Sequence, residues 1–382
     1  MKILLHLTLL FAFTSAISQP NTDSLQNALT TAKDDLKVKT YNELFRAYIN
    51  SDPVKAIEYA KQALELATEI KDQKGMAAAY NNLGVAYRNH GALDNAMEHY
   101  MKSLKIYQSI EHMEGIATAK NNIGNIYSFK KDFDVATKYL EESHRLFVEL
   151  DDQIKIIGSM NNMGNLYSDR QQYDQALTYY TNAFELSKQE NKVFADPLNN
   201  IGNLYFKQGN YTQAAEFYEQ SLELARKENN LLLKLNVFAS LGEVYAHGLQ
   251  FKKAHYYLDS ALTLSTAMEA YIFEPTILKS LGYIYFKEGK MKEAYETMVR
   301  YDVAREKVYG EESSRKIAQM EIALDLQEKE KELEAVKAKS EIQSLELQNT
   351  RMVITIVILA VAIVIGGLNL FYHKRKSRKA KK

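Results

Sequence analysis

Cysteine is absent from the 382 residues, which excludes both disulfides and thiolate metal sites and lets the chain live in an oxidising compartment without mispairing. Proline (4 copies) and glycine (16) are scarce, and no β-rich segment competes with helix. Helix formers and tyrosine are plentiful instead, with 26 tyrosines in a chain that is 46% hydrophobic and 25% charged. That balance predicts a mostly helical chain with short connections.

Patterns that carry catalysis are also missing. His90, His99, His112, His144, His247 and His255 lie in helical stretches with no H-E-x-x-H spacing or nucleophile elbow, and no Gly-rich phosphate loop occurs. No enzyme activity, cofactor or metal site is expected. His99 and His255 read as surface or packing residues.

A net charge of zero hides a basic end made of Lys374, Arg375, Lys376, Arg378, Lys379, Lys381 and Lys382. Nucleic acid is not an expected partner, because the tyrosines lack the interleaved basic residues that a stacking platform needs. Residues 353–371, VITIVILAVAIVIGGLNLF, carry no charge over 19 positions and would cross about 30 Å of hydrocarbon as a helix. The segment 352–372 is therefore expected to be a transmembrane helix. The tail, 373–382, is expected to be cytoplasmic and to touch anionic membrane lipid.

At the other end MKILLHLTLLFAFTSAISQP has the form of a signal peptide over 1–18, with Ala16 and Ser18 at the minus-three and minus-one positions; a retained anchor is the rival reading. These features together predict a single-pass membrane protein with an extracytoplasmic N-terminal domain.

Between the two ends, Gly84, Gly124, Gly164, Gly202, Gly242 and Gly282 recur at intervals of 40, 40, 38, 40 and 40 residues. Three residues after each stands a tyrosine: Tyr87, Tyr127, Tyr167, Tyr205, Tyr245 and Tyr285. Twelve after each stands an alanine: Ala96, Ala136, Ala176, Ala214, Ala254 and Ala294. A first copy replaces the glycine by Phe45 and keeps Tyr48 and Ala56. Seven repeats thus occupy 37–310, after a cap segment at 19–36.

Leu83-Gly84 with Tyr87, Ile123-Gly124 with Tyr127 and Leu281-Gly282 with Tyr285 resemble the tetratricopeptide repeat. The resemblance implies an all-α solenoid, a right-handed superhelix of paired helices. The period of about 40 exceeds the family's 34, as in its long-repeat members, which include peptide-binding receptors and adaptors. The family's terminal proline is missing.

Small Gly and Ala let helix backbones approach, and the tyrosine rings fill the space between helices. A second stripe lies on another side of the first helices: Asn81 and Asn82, then Asn121, Asn122 and Asn125, then Asn161, Asn162 and Asn165, then Asn199, Asn200 and Asn203. In the family that this resembles, first helices line the concave groove, and an asparagine ladder there binds the backbone of an extended peptide. An amide offers donor and acceptor together, so it can read a main chain without demanding a side chain. Hydrogen bonding between neighbouring helices is the competing use. Arg88, Asn89, Thr118, Phe129, Asp169, Asp196 and Lys207 are expected nearby as specificity residues. They lack the basic pattern of a carboxylate clamp, which favours an internal or neutral segment.

Residues 311–351 contain no Gly, Pro or aromatic residue and are expected to form one long coiled-coil helix. Ile317, Met320 and Leu324, then Ile342, Leu345, Asn349 and Met352, fit an interrupted heptad seam that favours a homodimer. The whole arrangement resembles the sensor half of bacterial envelope signalling proteins, and the resemblance implies the bacterial inner membrane and a periplasmic domain. No output domain follows in the ten-residue tail, so signalling is expected to pass to a separate partner. The expected function is a membrane-anchored, periplasm-facing receptor or adaptor for a peptide or protein segment. The alternative is a structural scaffold for envelope assembly that uses its convex surface.

Overall fold

Seventeen helical residues and a three-residue turn form the half-unit of this protein, and two half-units make the 40-residue period. The structure, a computed structural model, describes residues 22–190 and 194–379, and these contain no strand. A short α1 (Thr22–Thr31) precedes seven helix pairs. The pairs are α2 (Asp34–Tyr48) with α3 (Pro53–Glu69), α4 (Gln73–Asn89) with α5 (Leu93–Ser109), α6 (Met113–Phe129) with α7 (Phe133–Glu149), and α8 (Gln153–Asp169) with α9 (Tyr173–Gln189). They continue as α10 (Asp196–Lys207) with α11 (Tyr211–Lys227), α12 (Leu231–His247) with α13 (Phe251–Ala267), and α14 (Glu274–Lys287) with α15 (Met291–Tyr309). A final α16 runs from Glu311 to Lys379.

Local chemistry sets the ends of these helices. The side chains of Asp52, Asp72, Asp152, Asn210 and Asn230 each accept a hydrogen bond from the backbone N–H three residues on, satisfying a donor that the first turn leaves free. Most of the stops use one left-handed residue, and many of these are not glycine: Lys71, Glu111, Lys131 and Leu249 have φ between 52° and 63°. Pro197 and Pro275 stand in the first turns of α10 and α14, where a missing N–H costs nothing.

Packing follows the repeat. Ala56, Ala96, Ala136, Ala176, Ala214 and Ala254 are all 0% exposed. The repeat tyrosines stack on a ring of the second helix, as in Tyr127 on Tyr139, Tyr167 on Tyr179 and Tyr245 on Tyr257, with interplanar angles of 12°, 10° and 9°. At Gly164 a Cβ would lie 2.4 Å from the Tyr180 ring, so the glycine is there for the ring to pass. Each first helix from α2 to α12 touches the next first helix, whereas no two second helices touch among the described residues. The first helices therefore line the inner curve.

The chain divides into two compact units, one ending at Ile317 and one beginning at Ala318. The helix pairs belong to the first and most of α16 to the second. Among the described residues no helix is long and apolar enough to cross a membrane. This overturns the expected span at 352–372 and, with it, the single-pass inner-membrane placement, the periplasmic domain, the cytoplasmic tail and the lipid contact. The uncharged run is not a helix of its own but the distal part of a 69-residue helix that is densely charged over 311–351 and basic again near its end. The expected signal peptide at 1–18 and the last tail residues, Lys381 and Lys382, lie outside the described residues.

Candidate functional site

The asparagines of the inner helices form a ladder of amide pairs. In each rung the asparagine two before the glycine position donates from Nδ2 to the Oδ1 of the asparagine three before it in the preceding repeat. The rungs are Asn82 to Asn42 at 2.6 Å, Asn122 to Asn81 at 2.8 Å, Asn162 to Asn121 at 2.8 Å and Asn200 to Asn161 at 3.2 Å. Asn42 was not among the expected site residues. Its signal was the register, three residues before Phe45.

The ladder ends where the sequence changes. Repeat six has Ser240 at the donor position, and Ser240 turns its side chain to Tyr218. Asn199 Oδ1 is left buried without a partner.

The third asparagine of each set has a different role. Asn165 Oδ1 accepts from the Tyr180 hydroxyl at 2.6 Å, and Asn203 Oδ1 from the Tyr218 hydroxyl at 2.7 Å. Leu140 replaces that tyrosine in the repeat of Asn125, which has no side-chain hydrogen bond among the described residues. The converse occurs one repeat earlier, where Val85 replaces the asparagine and the buried Tyr100 hydroxyl has no partner. Burial pushes the Tyr100 phenol up to about 12 and raises Tyr180 and Tyr218 further. The tyrosines sixteen residues after glycine were missed in the sequence, where they stand in only three of the six glycine repeats, Leu140, Leu258 and Met298 taking the place in the others.

Asn82 is buried, Asn165 is exposed, and most of the remaining ladder residues are partly exposed. One pair bond uses one of the two N–H groups of its donor and part of the acceptor capacity of its partner, so the amides keep further hydrogen-bonding groups. They border a cavity of about 410 Å³ between α8 and the start of α10, lined by Ile154, Ile157, Gly158, Asn161, Asn162, Asn165, Phe194, Asp196 and Asn200. The cavity lies beside the missing first turns of α10, which has 12 residues against 17 in α8.

Among the described residues lining this cavity, Asp196 alone is charged. Its side chain is open to the groove yet flanked by protein, and partial removal from bulk water raises its carboxyl above the ordinary range.

The other expected specificity residues are less available. Lys207 Nζ lies 3.1 Å from both Asp169 and the Ser168 hydroxyl, and Arg88 Nη2 donates to Asn89 at 3.1 Å. The Thr118 hydroxyl donates to the Glu114 carbonyl of its own helix. Phe129 stays 60% exposed. His99 is buried and stacked between Tyr80 and Tyr87, and His255 Nε2 lies 2.9 Å from a Glu288 carboxylate oxygen.

Comparison with known proteins agrees with the fold. A family model described as the tetratricopeptide repeat matches residues 47–109, 115–189 and 194–267, more than half of the chain. No curated protein matches it. Among solved structures it is similar to a Rap protein complexed with competence and sporulation factor, at 16% identity and a TM-score of 0.58, over 79% of this chain and 82% of that one. It is also similar to NprR in complex with its cognate peptide NprX, at 15% identity and a TM-score of 0.52, over 81% and 94%. A third likeness is to aspartyl phosphate phosphatase F from Bacillus subtilis, at 15% identity and a TM-score of 0.52, over 75% and 74%. At such identities the likeness is one of fold. The seven helix pairs and the matched repeats lead to one conclusion: the chain belongs to the tetratricopeptide-repeat family.

Proposed function

We propose that this protein is a receptor or adaptor that binds an extended peptide or protein segment along its inner helices and signals through a separate partner. The observation that carries the reading is the four-rung amide ladder, whose last rungs contribute Asn161, Asn162 and Asn200 to a cavity where Asp196 is the one charge among the described lining residues. Paired carboxamides hold one another in fixed orientation, so the groups left over are preorganised for a main chain that needs a donor and an acceptor at regular intervals. The ligand-contact set is Asn81, Asn82, Asn121, Asn122, Asn125, Asn161, Asn162, Asn165, Asn199, Asn200 and Asn203.

Ile154, Ile157 and Phe194 offer apolar surface for a side chain beside the ladder. Among the described residues that line the cavity there is no Lys or Arg, in keeping with an internal or neutral segment. NprR, a neighbour in fold, is seen with its cognate peptide, which supports the same use of the fold.

The test is a peptide-library capture by the full chain and three variants, with folding checked by circular dichroism. Capture lost in Asn125→Leu and Asn165→Leu but retained in Tyr180→Phe marks the amides as ligand contacts, since Tyr180→Phe removes only the internal bond. Equal capture by all four sinks the groove reading and moves the function to a scaffold working through its convex face.

A further inference from the structure

The last second helix, α15, departs from the rule that its predecessors follow on the outer surface. Seventeen and twenty-one residues after the repeat glycine, repeats two to six each carry at least one charged residue: Met101 and Lys105, Glu141 and Arg145, Thr181 and Glu185, Glu219 and Glu223, Asp259 and Thr263. The seventh carries Val299 and Val303. Thirteen after the glycine, His255 of repeat six packs its ring 4.7 Å from Tyr285 of the next repeat. The corresponding residue of α15 is Tyr295, and no further helix pair follows it. Tyr295 is 72% exposed, Val303 66%, Met291 58% and Val299 45%, while Ala294, Thr297, Ala304 and Val308 are buried on the opposite side. An isolated exposed apolar residue is ordinary; a four-residue stripe on one helix, replacing charge, is not.

We infer that this stripe is an interface for a second copy of the chain, with the two α15 helices antiparallel about a two-fold axis at position 297. The stripe is symmetric about that position: Met291 is set against Val303 and Tyr295 against Val299. The charges beside it are complementary under the same operation, because Lys292 and Asp302 each stand five residues from the centre with opposite sign. An isologous contact of this kind needs a patch that matches itself, in shape and in charge. Lys292 has only a weak competing partner on its own helix, Glu296 at 3.9 Å. The inference is independent of the peptide reading, since the stripe lies on a second helix and the ladder on first helices.

The test is sedimentation equilibrium of the full chain. The wild type is expected to dimerise, and Tyr295→Glu with Val299→Glu to abolish that step. Lys292→Asp and Asp302→Lys, each alone, bring like charges together twice per dimer and are expected to weaken it about tenfold or more. Two rescues follow from the symmetry: the double variant K292D/D302K pairs with itself, and the two single variants pair with each other on mixing. A monomeric wild type overturns the inference. So does a dimer unchanged by Tyr295→Glu with Val299→Glu, or one whose single-variant losses are not rescued. Dimerisation that instead disappears in Ile342→Asp with Leu345→Asp and ignores α15 also overturns it.

Discussion

The Tyr218 hydroxyl donates a 2.7 Å hydrogen bond to Asn203 Oδ1, joining the second helix of repeat five to the inner stripe of its first helix. The equivalent Tyr100 hydroxyl, facing the repeat that has Val85, is buried without a partner. The same substitution should therefore have opposite consequences at the two sites. Tyr218→Phe is expected to cost about 0.5–1.5 kcal/mol, and Tyr100→Phe to be neutral or stabilising, because it removes an unpaired buried polar group. Urea unfolding followed by circular dichroism measures both, and equal losses would disprove the assignment.

Gly164 sits under the Tyr180 ring, with no room for a methyl group. Gly164→Ala is expected to destabilise by about 1–3 kcal/mol through overpacking, although alanine is the better helix former. A stabilised Gly164→Ala protein in thermal unfolding would show that the ring can move aside freely.

Leu249 adopts φ 58° with its side chain 68% exposed, in the turn position that Gly91, Gly209 and Gly289 occupy in other repeats. Leu249→Gly relieves that backbone cost and is expected to stabilise the protein by about 1 kcal/mol. An unchanged or lowered unfolding midpoint would count against it.

Burial holds His90 and His144 below the ordinary imidazole value of 6.5, and the His144 Nδ1 lies 2.7 Å from the Ser159 hydroxyl. The unfolded chain then binds protons that the folded chain refuses. Stability is fully present above pH 6.5 and is lost as pH falls through the lowered values of the folded protein. His144→Gln keeps a polar group there and is expected to flatten part of this loss, read as unfolding midpoints between pH 7.5 and pH 5, on the order of the range over which a histidine titrates.

Much of the fold was legible because the repeat restricts it so heavily. A glycine that must pass a ring and an alanine that must be fully buried recur at the same spacing, and periodicity is visible without coordinates. The asparagine stripe was legible for the same reason. Its pairing was not, because a rung joins residues 39 to 41 positions apart and depends on how one repeat sets against the next. The membrane span failed differently: the uncharged run was read as a crossing segment, whereas among the described residues no helix is long and apolar enough to cross a membrane.

By itself the sequence determined that the chain is an array of paired helices, how many pairs there are, which residues pack at their crossings and which faces carry amides. These follow from spacing and from the intrinsic size and polarity of side chains. Only the tertiary structure decided that the amides bond to one another in rungs, that the ladder ends at Asn199, that shortened α10 borders a cavity, and that Tyr295, Val299 and Val303 lie uncovered. Each of those depends on what stands opposite a residue across an interface, and partners across an interface are set by the relative placement of whole helices.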